Sequence, residues 1–293
     1  MILVFGSINV DVIVPVPHLP RPGETVLGGA YSLLPGGKGA NQALAACRAG
    51  ADVAIAGAVG DDPFAPVALD PLRRAGIDTR LVRTVDMPTG CATIMVGEGG
   101  ENIIAVASGA NAEVRCDQVP DAVLGPGLAL VAQMEVPPAE TAAMIRRVRA
   151  AGGSVVLNLA PALSLASGLL GEIDLVIVNE REATALGADP VPLAARLRQG
   201  LVVTRGAAGA VAYFRNGSTI PVPALPVVAI DTTGAGDTFV GVLAAALDQR
   251  MPLDAGLRRA SAAAGLACLA SGAQSAMPDL AAIEKAAGLL GYS

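Results

Sequence analysis

The segment DTTGAGDTF at residues 231–239 leads directly into an apolar run from Val240 to Leu247. Gly234 and Gly236 let the backbone turn sharply, and the run that follows predicts a buried helix or strand. If a helix begins here, its unpaired N–H groups form a partly positive site that binds phosphate without side chains. Asp237 would then lie in the first turn, within reach of a substrate hydroxyl. The segment predicts a phosphoryl-transfer site, although the same residues in isolation also fit an ordinary glycine-rich helix start.

The composition favours a large α/β core. The chain has 293 residues, of which 53% are hydrophobic and only 2% aromatic. A core rich in small aliphatic residues suits parallel strands that are covered by helices on both faces. No apolar run approaches the ~18 residues that span a bilayer. Residues 1–6 contain no basic residue, and Asp11 follows soon after them. This pattern predicts a first strand rather than a signal peptide, and we therefore expect a cytoplasmic location.

Charge and reactive residues exclude several classes of function. The net charge is −6 at pH 7, which disfavours nucleic acid as a partner and favours a small-molecule substrate. The cysteines are widely spaced and His18 is the only histidine, so zinc sites and a Ser-His-Asp triad have little support. We expect the cysteines to be reduced thiols; they are Cys47, Cys91, Cys116 and Cys268.

Short apolar segments alternate with alanine-rich helical stretches along most of the chain. The predicted strands are Ile2–Phe5, Val53–Ala58, Leu128–Ala132, Val155–Leu157, Leu175–Val178 and Leu201–Thr204. The predicted helices are Ala40–Ala49, Ala139–Ala151, Arg181–Leu186, Leu193–Arg198, Leu253–Ser271 and Asp279–Leu290. This alternation predicts one α/β domain over residues 1–293, a three-layer sandwich with a mainly parallel central sheet and ligands at the carboxyl ends of the strands.

Two stretches interrupt the alternation and predict a small separate sheet. Asp11–Val16 and Thr25–Leu34 are strand-like runs broken by proline and glycine, and Cys91–Val96 with Asn102–Ala107 forms a predicted hairpin. We expect these segments, about residues 11–35 and 91–107, to form a β lid. A second hairpin is predicted around the Asn216-Gly217 turn.

A second glycine-rich segment, GGKGANQ at residues 36–42, also opens a predicted helix. The chain has only two lysines, Lys38 and Lys285, and uses arginine for its other positive side chains. A mobile ammonium among glycines suits a polyhydroxylated ligand held close to the backbone. The segment is neither a Walker A loop nor a dinucleotide fingerprint. A helix cap with an exposed lysine is the ordinary alternative.

Polar residues stand at the carboxyl ends of the predicted strands. Asn9 and Asp11 follow the first strand with the spacing that places side chains on one face of an extended chain. Each such group alone fits a capped helix start, but together they predict a site with acceptors for sugar hydroxyls and for a hydrated Mg²⁺. The others are Glu135, Asn158, Asn179–Glu182 and Thr204–Gly209.

On these motifs the chain resembles the ribokinase-like carbohydrate kinases of the phosphofructokinase-B type, over nearly its full length. The resemblance rests on ordered segments rather than on one motif. They are residues 6–11, 22–25, 36–42, 59–62, 89–90, 99–102, 109–111, 158–162, 179–180, 204–209 and 231–239.

The resemblance implies a role for each matching residue. Asp237 would be the general base, beside an anion hole formed by Gly234, Ala235 and Gly236. The sugar hydroxyls would be held by Asn9, Asp11, Gly37, Lys38, Asn41, Glu135 and Asp237. ATP and Mg²⁺ would be bound by Asn179, Glu182, Thr204, Arg205, Gly206, Ala207, Ala208, Gly209, Gly236 and Ser261. A monovalent cation, usually K⁺, would be held by Asp231 and Thr233 and by backbone oxygens near Ala267, Ala270 and Gly272.

The resemblance also implies a reaction and an assembly. We expect transfer of the γ-phosphoryl group of MgATP to the 5-hydroxyl of D-ribose, and a homodimer paired through the lid. Deoxyribose, a ketose, 2-keto-3-deoxygluconate, adenosine or pseudouridine remain open as acceptors, as does a non-catalytic sugar or nucleotide sensor. A nicotinamide oxidoreductase ranks last because the dinucleotide fingerprint is missing.

The chain departs from the family pattern at three positions. Ala276 stands where a serine oxygen can face the monovalent cation, Ser261 stands where histidine is frequent near adenine, and Ala65 replaces a usual glycine. None of these changes removes a predicted catalytic group, but Ala276 leaves the requirement for K⁺ open.

Overall fold

Strand β1 (Ile2–Phe5) is completely buried and lies inside a nine-stranded sheet. The computed structural model describes residues 1–166, 168–186 and 189–291. The remaining strands are β2 (Asn9–Val16), β3 (Ser32–Gly36), β4 (Val53–Gly60), β5 (Asp78–Val85), β6 (Gly90–Gly97), β7 (Asn102–Ala107), β8 (Ala129–Ala132), β9 (Ser154–Asn158), β10 (Leu175–Asn179), β11 (Gly200–Thr204), β12 (Ala210–Phe214) and β13 (Thr219–Val222).

The α-helices alternate with these strands. They are α1 (Lys38–Arg48), α2 (Phe64–Arg74), α3 (Pro138–Ala150), α4 (Glu180–Ala185), α5 (Pro190–Ala195), α6 (Ala235–Asp248), α7 (Leu253–Ala267), α8 (Ala273–Ala276) and α9 (Leu280–Leu289). Short 3₁₀ turns occur at Gly109–Glu113, Cys116–Gln118, Asp121–Val123, Leu169–Glu172 and Gly206–Ala208.

The large sheet has the order β13-β12-β11-β10-β9-β8-β1-β4-β5. Strands from β11 to β5 pair in parallel, and β12 and β13 add an antiparallel hairpin at one edge. Parallel pairing places the carboxyl ends of the central strands at one edge, where ligands bind in open α/β sheets. The mainly parallel α/β sheet predicted from the sequence is confirmed.

Two apolar cores lie on opposite faces of this sheet. Alternate residues of β1 divide between them: Ile2 and Val4 pack with α1, α2, α6 and α7, whereas Leu3 and Phe5 pack with α3 and α5. This alternation explains why the central strands are apolar on both faces. The two cores and the sheet between them form the predicted three-layer sandwich.

The small sheet has the order β3-β2-β6-β7. Its central pair, β2 and β6, is parallel, and β3 and β7 are antiparallel edge strands. Asn9 pairs with Gly90 at the end of the sheet nearest the body. The predicted lid segments therefore do form one separate sheet, although it begins at Asn9 rather than Asp11.

The structure also corrects several predicted elements. Residues 25–31 form no strand, so the predicted run Thr25–Leu34 contributes only its end to β3. The helix predicted at Leu193–Arg198 lies earlier, at Pro190–Ala195 with Asp189 as its N-cap. The helix predicted over Leu253–Ser271 ends at Ala267, and Gly272 precedes the separate helix α8. Helix α2 and strand β5 had no counterpart in the prediction.

Helix α1 begins in direct contact with the turn after β1. The N–H of Ala40 donates to the Ser7 carbonyl at 2.9 Å, and the N–H of Gly39 donates to Ser7 Oγ at 3.2 Å. Gly37 has φ of +89°, and a Cβ there would lie 2.7 Å from the Asn9 nitrogen. Glycine is therefore required at 37 by both conformation and space. Within the ranges described above, none of the helices is long and apolar enough to cross a membrane.

Gly37→Ala tests this contact, with Gly76→Ala as the matched control. Gly76 has φ of +85° but nothing within 4 Å of its Cβ position. We expect Gly76→Ala to lower the free energy of unfolding by about 1–2 kcal/mol through left-handed strain alone. Gly37→Ala should cost roughly 1–3 kcal/mol more because of the clash. Urea unfolding measures both; equal losses would contradict the close contact.

Candidate active site

Asp237 lies in the first turn of α6 with its carboxylate buried and held by two amides. Asn41 Nδ2 donates to its Oδ2 at 3.0 Å, and Gln42 Nε2 donates to its Oδ1 at 2.9 Å. Both amides come from α1. The segment that opens α1 and the segment that opens α6 therefore meet at one carboxylate, as expected if they form one site.

A chain of buried amides supports this contact. Gln133 Nε2 donates to Gln42 Oε1 at 2.7 Å, and Gln42 Nε2 also donates to Asn158 Oδ1 at 3.0 Å. On the other side, Gln274 Nε2 donates to Asn41 Oδ1 at 3.1 Å. Sequence reasoning missed the roles of the three glutamines. Gln42 belongs to the quoted GGKGANQ motif, but the sequence contains no signal for Gln274.

The start of α6 offers backbone donors beside Asp237. Gly234 has φ of +74°, and its Cβ position would clash with Ala273, so the turn requires glycine. Ala235 donates its N–H to the Thr232 carbonyl at 3.3 Å. Among described residues, the N–H groups of Gly236 and Asp237 have no partner. Because space is open at Gly236, an anion can approach these donors.

Glu135 and Lys38 supply a negative and a positive side chain to the site. The Glu135 carboxylate accepts hydrogen bonds from Ser7 Oγ at 2.6 Å and from the Lys38 backbone N–H at 3.2 Å. The charge of Asp237 raises the pKa of Lys38 against the effect of burial, and Glu135 and Glu182 add to it. The Lys38 side chain is therefore a fixed positive charge among three carboxylates.

Asn9 and Asp11 enter the site from strand β2. Asn9 is buried, and its Oδ1 accepts from Asn111 Nδ2 at 2.6 Å. Within the described chain, the Asp11 carboxylate has no hydrogen-bond partner. Burial, followed by the charges of Glu135 and Asp237, raises the pKa of Asp11 to about 6. A half-buried carboxylate without a hydrogen-bond partner is unfavourable for the fold and is typical of a ligand-binding position.

Asn179 and Glu182 form a capping box at the start of α4. The Glu182 N–H donates to Asn179 Oδ1 and the Asn179 N–H donates to Glu182 Oε2, both at 2.8 Å. The ordinary interpretation of this motif is thus correct, yet Glu182 also faces the site. Burial raises the pKa of Glu182. The hydrogen bond from the Asn179 N–H and the charge of Lys38 oppose this rise, whereas the charge of Asp237 adds to it.

Two adjoining cavities contain most of the predicted residues. The larger, about 580 Å³, is lined by Asn9, Lys38, Ser108, Asn111, Glu135 and Glu182 together with an apolar wall. The smaller, about 130 Å³, is lined by Lys38, Asn158, Asn179, Glu182, Thr204, Gly234, Gly236 and Asp237 among others. They share Lys38 and Glu182, so one side chain of each charge separates the two compartments.

The remaining predicted residues lie outside the lining of these cavities. Gly37 and Asn41 are adjacent to it through the contacts above, and Asp11 lies close enough for the charges of Glu135 and Asp237 to act on it. The turn from Arg205 to Gly209 follows Thr204, and its residues 206–208 are exposed. Ser261 is buried on α7, where its Oγ donates to the Pro223 carbonyl at 2.6 Å. This hydroxyl therefore holds a loop instead of facing open space.

Asp231 organises a separate cluster near the end of α7. Its Oδ1 accepts from the Thr233 N–H at 2.9 Å and Oγ1 at 2.6 Å, and its Oδ2 accepts from the Gly272 N–H at 2.8 Å. Burial opposes ionisation, but these hydrogen bonds outweigh it and lower the pKa of Asp231. The Ile230 and Asp231 N–H groups both approach the Cys268 carbonyl. Of the predicted cation residues, Thr233 and Gly272 therefore contact the Asp231 carboxylate directly.

The described part of the chain offers no cluster of carboxylates that would bind a metal ion by itself. In the part of the chain that the structure describes, no group of three or more His, Cys, Asp or Glu side chains could hold a metal ion. Mg²⁺ at phosphoryl-transfer sites commonly uses one or two carboxylates, water and substrate phosphates. Glu182, at the boundary of the two cavities, fits that pattern.

The chain is similar to known proteins over most of its length. The family model described as pfkB family carbohydrate kinase matches residues 1–280. A ribokinase of Haemophilus influenzae is 38% identical over 291 residues, which cover 94% of each chain. A structure of Thermotoga maritima ribokinase has a TM-score of 0.91 at 29% identity and covers 97% of this chain and 98% of its own. Arabidopsis thaliana ribokinase complexed with ribose and ATP has a TM-score of 0.85 at 27% identity, covering 100% and 99%.

Asp11→Asn should stabilise the protein at neutral pH. Because the pKa of Asp11 rises from 3.8 to about 6 on folding, the folded state binds more protons in that interval, and its stability falls as pH rises through it. Asparagine does not ionise and so avoids this loss of stability. We therefore expect the free energy of unfolding of Asp11→Asn to exceed that of the parent by about 2 kcal/mol near pH 7 and by almost nothing near pH 4.

Urea unfolding of both proteins at the two pH values measures this difference. Asp70→Asn is the control, because Asp70 forms only a surface ion pair with Arg73 at 3.5 Å; its effect should stay within about 0.5 kcal/mol. A neutral-pH stability of Asp11→Asn equal to that of the parent would contradict the proposed burial cost.

Proposed function

This chain belongs to the pfkB family of carbohydrate kinases, and from that premise we propose that it transfers the γ-phosphoryl group of MgATP to the 5-hydroxyl of D-ribose. The products are ribose 5-phosphate and ADP. The observation that carries the proposal is the placement of Asp237, a buried carboxylate between the Lys38 cavity and the unpaired N–H groups of α6. Full-length similarity to ribokinases supports ribose as the acceptor. The cytoplasmic location predicted from the sequence stays a prediction.

Asp237 is suited to take the proton of the attacking hydroxyl. Each of its carboxylate oxygens accepts one amide hydrogen bond, from Asn41 or Gln42, and a carboxylate oxygen has a second lone-pair site. The two amides fix the plane of the carboxylate, so the free lone pairs have a defined direction. Loss of the proton to Asp237 as attack proceeds avoids a positively charged intermediate oxygen.

The phosphoryl group would be stabilised by groups that are already in place. The N–H groups of Gly236 and Asp237 and the partial charge of the α6 terminus face the open space beside the carboxylate. Lys38 adds a full charge that lines both cavities. Phosphoryl transfer depends on such positioning and charge neutralisation more than on covalent catalysis. Mg²⁺, when bound, would neutralise phosphate charge, and Glu182 with Asn179 would direct its water shell.

Under this proposal, a loop after β13 would cover the purine of ATP. Val228 is 89% exposed and Ile230 is 68% exposed, which is unusual for large aliphatic residues. The start of this loop packs on Gly209, where a Cβ would clash with the Val222 carbonyl, and Ser261 is bonded to Pro223. The loop thus joins the predicted ATP turn to α7. We infer that its exposed aliphatic side chains pack on the adenine face.

A nucleoside acceptor is the second candidate because of the apolar wall of the larger cavity. Besides its polar residues, the 580 Å³ cavity is lined by Val106, Met134, Val136, Pro137, Pro138 and Pro161. That volume lies in the range of drug-sized ligand sites, so a base attached to the ribose would have room and apolar contacts.

ADP release with a panel of acceptors tests the function directly. Purified protein with MgATP and KCl is assayed against ribose, deoxyribose, fructose, 2-keto-3-deoxygluconate, adenosine and pseudouridine. We expect ribose to have the highest kcat/KM. A nucleoside with the highest value would replace ribose as the acceptor. ATP binding without turnover of any acceptor would favour the sensor instead.

Asp237→Asn should abolish most catalysis while leaving nucleotide binding intact. The amide keeps the size of the side chain but cannot accept a proton, and loss of a general base costs roughly 10²–10⁴ in rate. We expect kcat to fall by that factor and the Kd for AMP-PNP, measured calorimetrically, to change less than about threefold. A variant with near-normal kcat would exclude Asp237 as the base.

Monovalent-cation activation is a separate proposal that rests on the Asp231 cluster. An anionic carboxylate beside the carbonyls that end α7 is suitable for K⁺, which prefers oxygen ligands. When tetramethylammonium replaces K⁺, we expect kcat/KM to fall by about tenfold, equivalent to roughly 1.4 kcal/mol of barrier. Asp231→Asn should remove the response to KCl, whereas Asp254→Asn, in a surface pair with Arg258, should keep it. Equal rates in both salts would exclude K⁺ activation.

The exposed edge of the lid supports a homodimer. Strand β7 is an edge strand with every residue exposed, including Ile103, Ile104 and Val106 at 43–56%. An apolar edge with unpaired backbone groups favours pairing with another strand. We propose a second copy of the chain as the partner, because both lids would be shielded by one self-complementary contact.

Ile104→Lys tests this assembly. Lysine on an edge strand opposes strand pairing, so we expect the variant to sediment as a monomer at concentrations where the parent is a dimer. Leu289→Lys is the control, because Leu289 is 75% exposed at the end of α9, outside the lid, and should remain dimeric. A parent protein that sediments as a monomer would refute the proposal.

A further inference from the structure

A second cavity of about 580 Å³ lies outside the predicted active site. It is enclosed by α1, α2, α8 and the lid strand β3, and shares no lining residue with the two site cavities. Its apolar walls include Leu34, Pro35 and Leu44, and its polar groups include Arg48, Arg74 and Gln274. Apart from Gln274, which donates to Asn41, none of these residues has a role in the phosphoryl transfer described above.

The polar lining of this cavity is positively charged. Arg48 uses Nη1 to donate to the Gln274 and Met277 carbonyls at 2.9 and 2.6 Å, so its position is fixed by α8. Arg74 forms no hydrogen bond or ion pair with any described residue. No carboxylate lines the cavity. Burial lowers the pKa of the Arg48 guanidinium, and the negative charge of Asp279 acts against this effect. Asp279 is also the N-cap of α9, where its Oδ1 accepts from the Ala282 N–H.

Gln274 adds a buried acceptor that has no partner. The residue is only 4% exposed, and its Oε1 forms no hydrogen bond within the described chain. Its Nε2 donates to Asn41 Oδ1, which fixes which end of the amide is the oxygen. Because almost no surface of this oxygen is accessible, the group that the cavity offers to a ligand hydroxyl is instead the exposed Ser275, which also lines it.

We propose that this cavity binds a phosphate monoester of a small polyhydroxy compound. The guanidinium groups of Arg48 and Arg74 bind the phosphate oxygens, for which arginine is suited. A hydroxyl of the ligand donates to Ser275 Oγ, whose own hydrogen is donated to the Ser271 carbonyl at 2.8 Å. The volume is in the range of sites that hold whole metabolites, and the apolar walls contact the carbon skeleton.

The cavity is joined to the Asp237 carboxylate by two hydrogen bonds. Gln274 donates to Asn41, and Asn41 donates to Asp237. Arg48, which binds the ligand phosphate, also donates to the Gln274 carbonyl, so a bound ligand restrains the residue whose amide forms the first of these bonds. The site is therefore positioned to couple the concentration of a sugar phosphate to the alignment of Asp237; this coupling, unlike the binding itself, rests on the proposed function.

Calorimetry with the active site filled tests the binding. Ribose and AMP-PNP are first titrated separately. If either does not bind, the proposed function fails, independently of the second cavity. Ribose 5-phosphate is then titrated into protein saturated with both, because the active site can no longer accept it. We expect one further binding event, weakened at least tenfold in Arg74→Gln, since a charged hydrogen bond is lost.

Arg73→Gln is the matched control, because Arg73 neighbours Arg74 on α2 but pairs with Asp70 and does not line the cavity. It should bind like the parent. No binding event, or equal binding by Arg74→Gln and the parent, would overturn the site. Inorganic phosphate that binds as tightly as ribose 5-phosphate would overturn the assignment to a polyol phosphate.

Discussion

The burial of the Asp237 carboxylate is the constraint on which the site depends. The residue is 8% exposed, and a buried carboxylate without partners costs several kcal/mol. Two amides of α1 satisfy it, so α1 and α6 must pack side by side. Gly241 permits this approach, because a Cβ there would clash with the Gln42 carbonyl. One set of hydrogen bonds thus determines both the packing of two helices and the direction of the Asp237 carboxylate.

The lid is attached to the body by polar contacts at the start of its two central strands. Asn111 donates to Asn9 at the beginning of β2. Beside β6, Asp62 accepts from the Thr89 N–H at 2.6 Å and Oγ1 at 2.9 Å, and also from the Phe64 N–H at the start of α2. The body therefore holds the lid at its base, while its far edge β7 remains exposed. This arrangement suits a sheet that covers a cavity and excludes water from the reaction.

Much of the candidate site was predictable, because glycine-rich turns and polar residues at strand ends can be identified from short segments of sequence. Asn179 and Glu182 illustrate the limit of such reasoning, since they satisfy the helix-cap interpretation and the site interpretation at once. Helix α2 and strand β5 were not predicted. Helix α2 contains Pro71, and β5 is only partly buried with polar residues such as Arg80. Proline and polar residues weaken the local signals of helix and strand, and tertiary packing overrides them.

The amino-acid sequence by itself determined the α/β alternation, the lid hairpin and the segments that carry the chemistry, because these depend on local periodicity and on turn residues. Only the tertiary structure decided which side chains meet. The amides of Gln133 and Gln274 support Asp237 across 91 and 233 residues of chain through Gln42 and Asn41, respectively. The cavity beside Arg48 and Arg74 likewise exists only where α1, α2 and α8 converge. Such contacts arise from the packing of distant helices, and neither spacing nor composition encodes them.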